Sequence, residues 1–297
     1  MSKKIIGGLL VILAITGLVF LNSCEKQPKE VELVYVEWSR ATAITHVAAE
    51  ILEDLGYDVS VNSVANAAMW QSVASGDSDA LLCAWLPVTH SSYYGPDGEF
   101  TDEVVDLGPN YRGASLGLVV PEYVTVDSIP EMVENAERFD NEIIGIDPGA
   151  GMMQSTEDAI NNDTSGLGVF ELVEGSGATM AAALGNAIDN EEWIVVTGWR
   201  PHWKFGRWDL KILDDPEGIY GESETINTVV RQGLQVDMPE AYEFFAQFDW
   251  LSVDLGEVLV ANYEGADPEE SAEEFVAENR DLIRSALPAS LADQFGE

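Results

Sequence analysis

The chain has 297 residues, with 53 aspartates and glutamates against 14 lysines and arginines, a formal net charge of −39, yet 46% of it is hydrophobic. A surface of that sign repels nucleic acid and anionic lipid headgroups, which removes both as partners. The hydrophobic share is too high for a disordered acidic tail, and the length allows an ample core.

Lys3 and Lys4 precede an apolar run from Ile5 to Leu21 that only glycines and Thr16 interrupt, the layout of a secretory signal. The run is short of the about 20 residues a spanning helix needs. It ends in "LNSC", residues 21–24, small residues before a cysteine, as in a bacterial lipobox. Residues 1–24 are therefore expected to be a lipoprotein signal peptide with Cys24 as the lipidated residue. The alternative is an uncleaved anchor helix. Either places the remainder outside the cytoplasm and tethered to a membrane. Loss of Lys3 and Lys4 leaves 12 basic residues against 53 acidic ones, a charge of −41. The acidic residues are spread along the helices, which reads as a solvated coat suited to high external salt, where self-repulsion is screened. Cys83, the other cysteine, reads as a small core residue, so no internal disulfide is expected once Cys24 is acylated.

After a polar tether at 25–30, strands and helices alternate. "VELVYVEW" (31–38) reads as a strand, residues 42–55 as a helix closed by Gly56, "DVSVNSV" as a strand, "NAAMWQSVASG" as a helix and "DALLCAW" as a strand. A second unit follows "LGLVVPEYV" (116–124) in the same order: "EIIGID", "MMQSTEDAI", "VFELVEG", "GATMAAALGNAI", "EEWIVVTGW". The stretch from about 223 onward reads as mostly helical. This predicts an α/β chain of two lobes centred on parallel sheets. The expected bounds are 31–118 for lobe 1, 119–215 for lobe 2 and 216–297 for a C-terminal helical return packing on lobe 1, with hinges near 115–122 and 209–222.

Each unit ends in Trp-x-Pro, at Trp85 and Trp199, where the proline stops the strand. Trp38 ends the first strand. The carboxyl ends of such strands face a shared cleft, where ligands bind. Several indoles with no acidic residue among them suit a quaternary ammonium, which aromatic faces attract. "GIDPGAGMM" (145–153) is a strand, a glycine-rich turn and a helix start, whose first amides present free N–H groups to an anion. No lysine lies in this loop, so a carboxylate is a more natural guest than a nucleotide. Together the two features describe a zwitterion, of which glycine betaine is the simplest. Trp70, Trp193, Trp208 and Trp250 read as ordinary core, and no histidine or cysteine spacing fits a metal site.

"VEWSRATAITHVAAEILEDLGYDV", "CAWLPVTH", "GIDPGAGMM" and "TGWRPHW" together resemble the substrate-binding proteins of glycine betaine ABC transporters, the OpuAC or ProX-like family. The resemblance covers essentially the whole mature chain. It implies a two-lobed periplasmic-binding-protein-like (type II) fold with the ligand in the cleft, no cofactor and no catalysis. It also implies an ammonium cage of Trp38, Trp85 and Trp199, with carboxylate contacts from the amides of Gly151 and Met152 and the His90 side chain. The implied partners are glycine betaine or a related betaine, a permease and its ATPase, and a membrane through the lipid on Cys24, for a monomer. Family members often carry an acidic residue shortly after the first-strand Trp, where this chain has Ser39 and Arg40; the cage requires that arginine to face away. The alternatives are the same class with choline, carnitine, proline betaine or ectoine as cargo, and an exported hydrolase of a methylated amine compound.

Overall fold

Valine, leucine and isoleucine alternate or cluster in short runs that become strands, with amphipathic helices between them. The computed structural model describes residues 29–296; Cys24 and the signal segment lie outside the described residues. The first unit is β1 (Lys29–Tyr35), α1 (Ser39–Asp54), β2 (Tyr57–Ser63), α2 (Asn66–Ser75) and β3 (Ala80–Leu86). A long strand, β4 (Val104–Pro121), leads into α3 (Ile129–Glu134), β5 (Glu142–Ile144), α4 (Gly151–Asn161), β6 (Glu171–Val173), α5 (Gly177–Asp189) and β7 (Val196–Arg200). Then come α6 (Lys204–Arg207), β8 (Leu210–Ile212), β9 (Glu224–Arg231), α7 (Leu234–Asp237), α8 (Pro239–Gln247), α9 (Gly256–Glu264), α10 (Pro268–Glu278), α11 (Arg280–Ala286) and α12 (Ala289–Ala292).

The strand order β2-β1-β3-β9-β4-β7-β5-β6 makes one curled sheet with two arms. Within each arm the three strands of one unit pair in parallel, β2-β1-β3 in lobe 1 and β6-β5-β7 in lobe 2. The sheets are not purely parallel as expected, because β4, β8 and β9 run antiparallel to their neighbours. β4 serves both lobes. Up to Ala114 it pairs with β9, and from Ser115 it pairs with β7, with β8 added at Val119–Pro121.

Three corrections follow. The chain from 216 is not a purely helical return, since β9 inserts between β3 and β4 before the helices begin. Lys29 and Glu30, expected in the tether, are the first residues of β1. The crossing in β4 falls at Ala114/Ser115, ahead of the expected lobe limit at 118.

The terminal helices bury Phe244, Trp250, Phe275 and Ile283 in one cluster with Ile44, Val47 and Ile51 of α1, so the C-terminal part covers the outer face of lobe 1. β3 is buried along its whole length, as befits a strand with neighbours on both edges and both faces covered. Among the described residues no helix is long and apolar enough to cross a membrane.

Candidate ligand-binding site

Both Trp-x-Pro sequences fall at strand ends. β3 stops at Leu86 and β7 at Arg200, each before a cis bond to the following proline. Trp38 stands just ahead of α1 in extended backbone conformation. The three indoles line one pocket of about 480 Å3, its opening to solvent included, and each is more than nine-tenths buried. Leu82, Ile146 and Ile226 complete an apolar wall. Cys83 also lines it, but burial pushes its thiol up to about 12, which leaves it unreactive.

Polar groups reach the same pocket from both lobes. Gly151 and Met152 open α4, whose N-cap residue Ala150 supplies no side-chain cap. The first amides of a helix have no intrahelical acceptor, and among the described residues nothing accepts from these two. Gly151 is required by proximity: a Cβ there would run into the carbonyl oxygen and methyl group of Thr89 in the opposite lobe.

His90 is fully buried, and desolvation lowers its pKa to about 3, so the ring is neutral at physiological pH. Its Nδ1 accepts from the Trp85 amide at 3.0 Å. The remaining ring proton therefore sits on Nε2. Asn66 Nδ2, 3.5 Å from it, is itself a donor, bonded to the Gly149 carbonyl at 3.1 Å, and cannot accept that proton. His90 Nε2–H is thus a donor without a protein acceptor among the described residues. Its ring stacks against Trp38, with centroids 5.8 Å apart.

The sequence reading missed four contributors. Asp147 accepts from Trp38 Nε1 at 3.0 Å across the cleft, so an acidic residue does stand beside the indoles. Asn66 also bridges the lobes through Gly149. Glu224, at the start of β9 and 3% exposed, takes the amides of Val88 (2.6 Å) and Thr89 (2.9 Å) on Oε1 and the Thr89 hydroxyl on Oε2, fixing the loop that carries His90. Lys204 is fully buried, its Nζ 4.9 Å from the Trp199 ring centroid and 3.4 Å from the Thr197 carbonyl. Burial lowers it to about 7. Asp147 lay in plain view inside the glycine-rich motif; the others are single polar residues whose partners could not be read from local pattern.

Trp203 stacks on Tyr263, with ring centroids 3.5 Å apart. It lines a wider, open cleft that shares Trp38 and Trp199 with the pocket. Trp208 lines that cleft too and is only half-buried, whereas Trp70 and Trp250 are core. Arg40 lines the indole pocket, while its guanidinium is drawn to β4, where Nη2 donates to the Asn110 carbonyl at 3.1 Å.

Comparison with known proteins matches residues 29–278 to the family described as the substrate binding domain of ABC-type glycine betaine transport system. The chain is 42% identical over 147 residues to the glycine betaine/carnitine transport binding protein GbuC of Listeria monocytogenes serotype 1/2a (strain 10403S). That alignment takes in 50% of this chain and 49% of the Listeria protein, so the chain spans about half the length of this relative. Lactococcal OpuAC, solved in its closed-liganded conformation with glycine betaine, is 37% identical with a TM-score of 0.80, covering 88% of this chain and 100% of that one. The glycine/betaine/L-proline-binding protein ProX from Borrelia burgdorferi is 38% identical with a TM-score of 0.82, covering 90% and 100%. These likenesses extend over both lobes and make the fold type II of the two-lobed periplasmic binding proteins.

Proposed function

The chain belongs to the family of substrate-binding domains of ABC-type glycine betaine transport systems, and from that premise we propose that it captures glycine betaine in the indole-lined pocket. The trimethylammonium lies against Trp38, Trp85 and Trp199, and the carboxylate accepts from the amides of Gly151 and Met152 and from His90 Nε2. The observation that carries this reading is that three indoles and three uncommitted N–H donors share one pocket. Choline has no carboxylate, and its single hydroxyl oxygen cannot accept from all three donors, so at least one stays unmet at a cost.

Cys24 carries lipid, and the chain works outside the cytoplasm as a tethered monomer. It hands its cargo to a membrane permease and ATPase, and it carries out no chemistry on that cargo. Closure of one lobe over the other excludes water from the cage.

Each desolvated cation–π contact contributes about 2 kcal/mol and each charge-assisted hydrogen bond about 1.5–3 kcal/mol. Lost translational freedom and lobe closure offset much of that sum, which points to micromolar dissociation constants. The test is intrinsic Trp fluorescence of the chain lacking residues 1–24, titrated with glycine betaine and with choline in high salt. A saturable change with betaine and a weaker one with choline is expected. Trp199→Ala should weaken betaine binding by about 30-fold, the equivalent of one such contact. Unchanged binding in that variant would remove the cage from the proposal.

A further inference from the structure

Arg40 is a buried cation in the wall of a pocket read above as built for another cation. It is 6% exposed, and its guanidinium lies 4.9 Å over the Tyr111 ring, with Nη2 on the Asn110 carbonyl. None of the four ion pairs among the described residues includes it. Its Nε is buried with no hydrogen-bond partner. Burial lowers its pKa only to about 10, with Tyr111 and Asp254 acting the other way, so the charge persists at neutral pH. The contacts to β4 hold that charge in place.

A fixed positive charge with no ion-pair partner, in a site screened from water, acts strongly on whatever enters. Beside the attraction of the Asp147 carboxylate next to Trp38, a guest with net charge +1 meets repulsion from this guanidinium. A zwitterion brings a carboxylate that offsets it. We propose that Arg40 is a specificity-determining residue that rejects net-cationic quaternary ammonium compounds and restricts the pocket to betaines. The inference rests on the ammonium reading of the pocket. The mechanism is exclusion of the wrong guest rather than added attraction for the right one.

The experiment compares dissociation constants for glycine betaine, choline and tetramethylammonium in the wild-type chain and in Arg40→Gln, Arg40→Met and Arg40→Lys, with thermal melts to establish folding. The wild type should prefer betaine. In Arg40→Gln, choline and tetramethylammonium should each bind at least about tenfold more tightly, while betaine binding stays level or weakens. Arg40→Lys, which keeps the charge, should keep the discrimination, and Arg40→Met stands in if the amide variant unfolds. A wild-type chain that binds choline as tightly as betaine overturns the proposal. So does a neutral variant whose choline-to-betaine ratio moves by less than about twofold. A wild-type chain that binds none of the three overturns the ammonium reading itself, and with it this inference.

Discussion

Lys204 and His90 are buried beside the indoles, and the cost of charging a group away from water lowers the pKa of each. For Lys204 the consequence is testable through stability. Its pKa is about 7 in the fold against an ordinary 10.5. The unfolded chain therefore binds the extra proton between those values, so stability rises with pH from about 7 to 10.5 and is lowest below 7. Lys204→Met removes the penalty. Its melting temperature should exceed that of the wild type at pH 6, by about 2–4 °C for each kcal/mol recovered, and should approach it at pH 10.5. An equal shift at both pH values would mean that packing, not charge, sets the difference. Since Lys204 Nζ lies on the Trp199 ring, the same variant reports whether a second cation behind the indole competes with the guest.

At the scale of elements, the site depends on two loops being pressed together. The Val88–Thr89 turn is fixed by Glu224 from β9, and α4 approaches it so closely that only glycine fits at position 151. Gly151→Ala should therefore separate stability from binding. Position 151 is the first residue of α4 rather than its interior, so the substitution adds little helix stability and the ligand-free melting temperature should change little. Betaine affinity should fall by about tenfold or more, because the added methyl keeps the lobes from meeting. Calorimetry and a thermal melt on the same preparation check both halves.

What was legible at this level followed local pattern. The units β1-α1-β2-α2-β3 and β5-α4-β6-α5-β7 announced themselves by alternating periodicity, and Trp85 and Trp199 by the prolines after them. The first half of β4 did not, because Gly108, Pro109 and Gly113 punctuate it like a loop. The structure absorbs them as register shifts, with φ of +97° at Gly108 and +76° at Gly113. β9 went unseen because its eight residues, "ETINTVVR", mix polar and apolar positions without strict alternation. Glu224 was lost with it. Near the end of the chain the helical stretch divides at Asn279, where φ is −110°, into α10 and α11. Arg40 and Lys204 are charged residues at positions that the fold buries, and no local signal separates them from their solvated counterparts.

For the whole molecule, charge is the dominant fact. With a net charge of −39, the four ion pairs among the described residues neutralise only Asp54, Asp79, Asp127 and Asp237. Most acidic side chains thus repel one another across a folded surface. Salt shortens the reach of that repulsion from about 10 Å at 0.1 M to about 3 Å at 1 M. The melting temperature should accordingly rise by roughly 5 °C or more between 0.1 M and 2 M sodium chloride. A flat profile would show that the acidic coat is energetically silent.

The position of β9 bears on how the chain is made. Lobe 1 is assembled from both ends of the sequence, because the strand between β3 and β4 comes from residues 224–231, after all of lobe 2. During synthesis lobe 2 can close while lobe 1 still waits for its central strand and its terminal helices. Until residue 231 has emerged, β3 keeps an open edge and α1 an uncovered apolar face, features that invite association with other chains. This order of assembly leaves lobe 1 incomplete until the last quarter of the chain has appeared. It also means that truncation late in the sequence damages the domain that begins it.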